Sequence, residues 1–265
     1  MKLLGVLLLC AVVVAVPTAV EKIDLDISDN GLPDSERNAA IEFLINQLIR
    51  QLFNYIRSVI NNGSSLFGIP PLDPLFLEEF RLSLPLGLIN LDLDLKNALM
   101  TGIGGFVVHT STFTPSQLSF EVDISVPSIV IEAESYDLVG DLLTAIPLYG
   151  KGKARFQIDG FRFSGTLLLK QSEDGQSVIL DRVINSFYQI PHFKSELTGV
   201  IGGGNIDQVV NAMLEDVIID YANRFQGAIA AAVSYALPVA VNPVLSTLDT
   251  WKYIDRFSQG PTYTL

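Results

Sequence analysis

The chain has 265 residues, of which 49% are hydrophobic and only 17% charged, and its formal net charge is −12. That balance argues against nucleic acid or an anionic membrane as partner, because Lys and Arg total 17 and never form a run, so no patch is offered to phosphates. An apolar inventory of this size has to be hidden on folding, and an acidic surface keeps the product soluble.

In chain order, Met1 and Lys2 give a short positive start, Leu3 to Val14 form an apolar run, and small residues follow at Ala15 and Ala19. This is the pattern of a secretory signal peptide, cleaved after Ala15 or near Ala19. The run is shorter than the ~20 apolar residues of a membrane span, and no second uninterrupted stretch of that length follows. We expect residues 1–19 to be signal and 20–265 to form a single domain. The one cysteine, Cys10, lies in the signal. The mature chain is therefore expected to have no disulfide, no thiol nucleophile and no thiolate metal site, and its core alone must hold it together.

Ile23 to Gly31 is an acidic lead-in. Asp26, Ser28, Asn30 and Gly31 imitate the first half of a calcium loop, but the position that needs a bidentate Glu is Arg37, so the stretch reads as an acidic turn before a helix cap. Asp34 or Ser35 then caps a helix whose apolar residues recur at Ile41, Leu44, Ile45, Leu48, Ile49, Leu52, Phe53, Ile56, Val59 and Ile60, a helical period. Asn61, Asn62 and Gly63 stop it. Asn62-Gly63-Ser64 is also a glycosylation sequon for a secreted chain.

After a Gly/Pro-rich connector ending at Pro74, the period changes to two. Ile89, Leu91, Leu93 and Leu95 alternate with polar residues, as do Leu118, Phe120, Val122 and Ile124, which predicts antiparallel strands with one wet face. Ile129 and Ile131, Phe156 and Ile158, Phe161 and Phe163 continue the pattern, punctuated by Pro127, Gly140, Pro147, Gly150, Gly152 and Gly160. Lys151 and Lys153 around Gly152 read as a hairpin tip. Gly202 to Gly204 break the chain, and Asn205 caps a second helix with apolar positions at Ile206, Val209, Val210, Met213, Leu214, Val217, Ile218, Tyr221, Phe225, Ile229 and Val233, ended or kinked at Pro238. Roughly thirty residues make a rod of about 45 Å, whose apolar stripe a curved sheet would cover.

Chemistry is sparse. The two histidines, His109 and His192, are far apart, and no G-x-S-x-G elbow presents a serine, so neither a catalytic triad nor a zinc site is expected. The glycines before the second helix lack the Lys-Ser/Thr of a phosphate loop. No cofactor and no catalytic residue is expected.

Gly68-Ile-Pro-Pro-Leu-Asp-Pro-Leu75, Gly102-Ile-Gly-Gly-Phe106, Val126-Pro-Ser-Ile129, Tyr136-Asp-Leu-Val-Gly140 and Pro147-Leu-Tyr-Gly-Lys-Gly152 resemble, in order and spacing, the insect takeout and haemolymph juvenile-hormone-binding family. The helix-first layout is also similar to the group 7 mite allergens. The resemblance implies an α+β fold in which a strongly curved antiparallel sheet wraps a long C-terminal helix and leaves an apolar tunnel, as in lipid-transfer and bactericidal-permeability proteins. It implies a secreted, non-enzymatic carrier of isoprenoid or fatty-acid-like ligands. The chain lacks the cysteine pair that takeout-type proteins carry near the mature N-terminus, a departure that bears on the juvenile-hormone branch and not on the fold.

On that reading the ligand-lining residues are Leu91, Leu93, Phe120, Phe156 and Phe163 from the sheet and Val209, Met213, Val217 and Phe225 from the helix. Tyr136 or Thr110 would orient a head group. A second reading is an extracellular defence or interaction protein that engages microbial lipid surfaces, which the net charge disfavours. A third, an esterase, lacks its nucleophile elbow.

Overall fold

The computed structural model describes residues 34–63, 70–85, 89–142, 144–246 and 250–251. The expected signal segment, Cys10 and the acidic turn from Asp26 to Gly31 lie outside these residues.

The first helix, α1, spans Asp34–Asn62, as the 3.6-residue period predicts. Its last turn buries Ile56, Val59 and Ile60. Gly63 ends it with φ 73, and the Gly63 N–H bonds the Val59 carbonyl at 2.8 Å, a geometry that a residue without Cβ adopts at no steric cost.

Among the described residues seven strands follow: β1 (Leu75–Pro85), β2 (Ile89–Thr101), β3 (Val107–Thr114), β4 (Ser119–Leu142), β5 (Ile146–Gln171), β6 (Val178–Gln189) and β7 (His192–Leu197). All pairings are antiparallel, in the order β1-β2-β4-β5-β6, with β3 also on β4 and β7 also on β5. The sheet is organised by β4 and β5, of 24 and 26 residues. Each is so long that two shorter strands share its outer edge: β3 then β2 along β4, β7 then β6 along β5. Among the described residues β1 and β6 each pair on one side only, so the sheet is not closed into a barrel.

Pro127, Gly140, Pro147, Gly150, Gly152 and Gly160 all lie inside β4 or β5 and do not end them. The hairpin tip expected at Lys151 and Lys153 is corrected by the same observation, since both lysines sit within β5, opposite β4. Gly152 is there because a Cβ would lie 2.0 Å from the Thr198 carbonyl oxygen. At Gly160, φ is 72. It stands opposite Pro127, between the register pairs Val126↔Phe161 and Ser128↔Asp159.

At that level the apolar parity of both strands changes, from Phe120, Val122, Ile124 and Val126 to Ile129 and Ile131 on β4, and from Ile158 to Phe161 on β5. Val126, Ile129 and Phe161 nevertheless pack in one cluster. The paired kinks let one continuous surface of the sheet stay apolar along two strands too long to remain straight. Asn97, with φ 51, makes the same switch on β2, between buried Leu95 and buried Ala98.

The C-terminal part departs from the expected single rod. α2 spans Asn205–Arg224 and α3 spans Gln226–Leu245, with Phe225 between them at φ −102, ψ 17 and its N–H shared by the Tyr221 and Asn223 carbonyls. The interruption is held from outside the helices: the Tyr188 hydroxyl donates to the Ala222 carbonyl at 2.7 Å, and the Gln226 amide donates to the Tyr188 carbonyl. Pro238 and Pro243 lie inside α3, so Pro238 does not end it. Gly204, not Asn205, occupies the N-cap of α2, and Asp207 in the first turn accepts the N–H groups of Gly199 and Val200 at 3.0 and 2.8 Å.

Each helix covers a different part of the sheet. α1 packs Ile56 and Ile60 with Phe106 and Val126; α2 packs Val210 and Leu214 with Leu95, Tyr136, Leu148 and Leu197; α3 brings Leu237 and Leu245 to Leu180 and Val183. The helices also close strand edges with asparagines. Asn46 accepts the Phe113 N–H, while Asn211 and Asn242 each accept from and donate to the backbone of one strand residue, Leu197 and Leu180. An edge so satisfied is no longer a template for another strand.

Candidate ligand-binding surface

The residues expected to line a cavity separate into three groups. Leu91 and Tyr136 are buried in the cluster under α2 and belong to the packed core. Leu93, Phe120, Phe156, Phe163, Met213, Val217 and Phe225 are only half-buried. Val209 is 60% exposed, which corrects its assignment to the sheet-facing side. The buried stripe of α2 runs through Val210, Leu214, Val217 and Tyr221, and at 100° per residue Val209 lies about 110° from its centre. Met213 flanks that stripe.

The half-buried aromatics are ordered by neighbours. Phe120 stacks on Phe53 of α1 at 6.2 Å between centroids, Phe156 stacks on Phe193 of β7 at 6.1 Å, and Phe225 lies 4.4 Å from Tyr221. Phe163 packs beside the α3 cluster, while Phe156 and Val217 pack beside the α2 cluster. Phe156 and Phe163 thus border two separately packed clusters, while Phe120 and Phe225 reach the packed residues through Phe53 and Tyr221. Apolar side chains at such borders keep part of their surface uncovered by protein.

Of the two polar groups expected to orient a head group, Tyr136 is already engaged and Thr110 faces solvent. The Tyr136 hydroxyl donates to the Thr198 carbonyl at 3.0 Å. Burial, with a smaller contribution from the Asp207 charge, pushes its pKa up to about 12, so it stays a neutral donor. Thr110 is exposed on β3. At the other end of the inner face, burial also raises the Tyr188 pKa, in keeping with its bond to Ala222. His109 bonds Ser125 at 2.8 Å on an exposed surface, and among the described residues no group of three His, Cys, Asp or Glu is placed to hold a metal.

A hollow of about 500 Å³ opens elsewhere, where a bulge between Ala133 and Tyr136 adds a residue to β4. Its walls carry Lys96, Lys151 and Lys153 with Asp94, Glu134 and Asp137, and Lys151 is paired with Asp137 at 2.6 Å. Six charged side chains, two of them paired with each other, line this hollow, a poor match for a hydrocarbon.

Phe193 and Tyr188 were not among the sequence candidates. The alternation of Phe193, Ser195 and Leu197 with Lys194 and Glu196 was a usable signal for β7. Tyr188 carries no comparable signal, because its role comes from a contact with α2.

The geometry of a long bent sheet with helices on its apolar face has a counterpart among solved structures. The crystal structure of Epiphyas postvittana Takeout 1 aligns over 77% of this chain and 92% of its own, with a TM-score of 0.53 at 16% identity, which shows the same fold. A lipopolysaccharide binding protein structure aligns over 61% of this chain and 34% of its own, with a TM-score of 0.29 at 15% identity. No curated protein matches the sequence. The family model described as haemolymph juvenile hormone binding protein matches residues 7–255. That match takes in both the strands and the C-terminal helices, and the chain belongs to the haemolymph juvenile hormone binding protein family.

Proposed function

We propose that this protein is a secreted carrier that holds an elongated hydrophobic small molecule, such as an isoprenoid or a fatty acyl chain, on the inner face of the sheet. The observation that carries this reading is the incomplete cover of Leu93, Phe156 and Val217 beside the α2 cluster and of Phe163 beside the α3 cluster, with half-buried Phe120 and Phe225 against Phe53 and Tyr221. Family membership agrees with it. Binding would draw on ligand carbon removed from water, about 0.8 kcal/mol per buried methylene, with no ion pair required. The apolar run from Leu3 to Val14 supports export. Asn62, exposed at the end of α1, is then available for glycosylation, which a mass shift on enzymatic deglycosylation, absent in Asn62→Gln, would register.

The deciding experiment is solvent extraction of protein purified from a secreting host, with native mass spectrometry before and after, alongside displacement of a fluorescent fatty-acid probe. A carrier releases a lipid, loses the corresponding mass and takes up the probe. A protein that yields no lipid and binds no probe is not a carrier, whatever its fold.

A further inference from the structure

α3 is the least polar of the described α-helices, and one side of it faces water. Gln226–Leu245 contains no Asp, Glu, Lys, Arg or His. One side packs on β6 through Leu237, Leu245 and the Asn242 amide. On the other side Ala228, Ala232, Tyr235 and Val239 recur at helical spacing and are exposed, Tyr235 to 81% and Val239 to 69%. The solvent side of α2 is different: it carries Asp216, Asp220, Asn223 and Arg224. A helix that is apolar all round is ordinarily covered on every side, and an exposed apolar stripe of this kind marks a contact surface.

We propose that the outward face of α3 rests on a neutral lipid surface, so that the protein docks there without inserting. Three observations select this occupant over a second copy of the chain. The face has no charge, which matches zwitterionic lipid, whereas two chains of net charge −12 repel each other, as does an anionic bilayer. The face is small: a 20-residue helix is about 30 Å long and about 10 Å wide, or ~300 Å² per partner, well short of the ~800 Å² of a stable protein interface. Tyr235 supplies an aromatic ring with a polar tip, the chemistry of the lipid–water boundary. No described helix is long and apolar enough to cross a membrane, and a helix that rests one apolar face on the lipid surface needs no such length.

The proposal stands apart from the carrier reading, and the two are tested separately. The full chain is floated with phosphatidylcholine vesicles, and Tyr235→Glu and Val239→Glu are compared with Val209→Glu, which removes an exposed apolar residue from α2. Wild type and Val209→Glu should co-float. Each α3 variant should lower the partition coefficient about tenfold or more, from the loss of buried apolar area and the charge placed at the interface. Circular dichroism establishes that the variants are folded. Three results would overturn the proposal: no co-flotation of wild type, equal loss in Val209→Glu, or a stable dimer by light scattering that Val239→Glu dissociates. Uptake of a soluble fluorescent probe without vesicles reads the carrier function independently, so either idea can fail while the other holds.

Discussion

Asn211 and Leu197 are joined by two hydrogen bonds that imitate a strand pairing: the Asn211 amide oxygen accepts the Leu197 N–H at 2.9 Å, and its nitrogen donates to the Leu197 carbonyl at 3.0 Å. The same amide oxygen accepts the Ser195 hydroxyl at 2.9 Å, and Glu215 one turn on accepts the Ser195 N–H at 2.8 Å. α2 thus both covers the inner face and terminates the β7 edge. Asn242 repeats the device on β6 at Leu180, with 2.9 and 2.8 Å. Side-chain amides are suited to this because they carry a donor and an acceptor spaced much as in a peptide.

Asn211→Ala should therefore destabilise the protein by about 2–3 kcal/mol, since it strands the N–H and C=O of buried Leu197. Asn211→Asp keeps the acceptor and loses the donor, and should fall between. Urea midpoints with unchanged slopes would measure both. A loss below about 0.5 kcal/mol in the alanine variant would mean that water replaces the amide and the edge is not sealed.

Tyr136 should titrate late. Its pKa is raised to about 12, first by burial, while in the unfolded chain it is near 10. The unfolded state gives up its proton first, so the stability due to Tyr136 is fully present below pH ~10 and is lost as pH rises towards about 12. Ultraviolet difference titration should show Tyr136 missing from the first ionisation step, with Tyr188 also delayed by its burial, and Tyr136→Phe should reduce the late component by one tyrosine. A wild-type profile with every tyrosine ionising together near pH 10 would contradict the burial of this hydroxyl.

The acid limb has the opposite sign. Hydrogen bonding to Arg162 holds the Asp123 carboxyl below its usual range, and the Lys170 ammonium does the same for Asp181. These pairs bridge neighbouring strands, β4 to β5 and β5 to β6. Their contribution is present above the unfolded carboxylate pKa and is lost as pH falls through the depressed values. Asp123→Asn should flatten the fall in melting temperature below pH ~4 while leaving the neutral-pH fold intact. An unchanged acid slope would assign the loss to other carboxylates.

Much of the fold was legible because strict alternation leaves few options: Leu91 to Leu95 and Phe120 to Ile124 fall on β2 and β4 as expected. Direction was harder to read than content. Asn97 and Gly160, with φ 51 and 72, reverse the parity of their strands, and a pattern of period two carries no mark of where it will be reversed, although Asn and Gly are the residues that tolerate the required backbone. The apolar period from Val210 to Phe225 and Ile229 runs on without a gap, yet the helix is interrupted at Phe225, where Tyr188, distant in sequence, donates to the Ala222 carbonyl. Val209 was misassigned since being apolar does not say which way a side chain points. The distinction between packed Leu91 and half-covered Leu93 depends on how three helices share one surface, which no local pattern encodes.

Three consecutive tests on α2 follow from that sharing. Val209 is 60% exposed, Leu214 is 3% exposed within the α2 cluster, and Met213 is half-buried on the flank of the stripe. Leu214→Glu would bury a carboxylate among apolar neighbours with no cation near, at a cost of several kcal/mol, and should unfold the protein. Val209→Glu adds a charge to a surface already facing water and should change neither stability nor ligand uptake. Met213→Glu is the informative case. Its carboxylate can reach solvent at the border of the cluster, so the fold should survive, while a charge beside an apolar ligand costs that ligand its dry contact and should weaken uptake of a fluorescent fatty-acid probe by tenfold or more, about 1.4 kcal/mol. Circular dichroism and probe displacement read the two effects apart. If Met213→Glu folds and binds the probe as wild type does, the ligand does not run along α2, and the inner-face assignment of Met213 and Val217 falls.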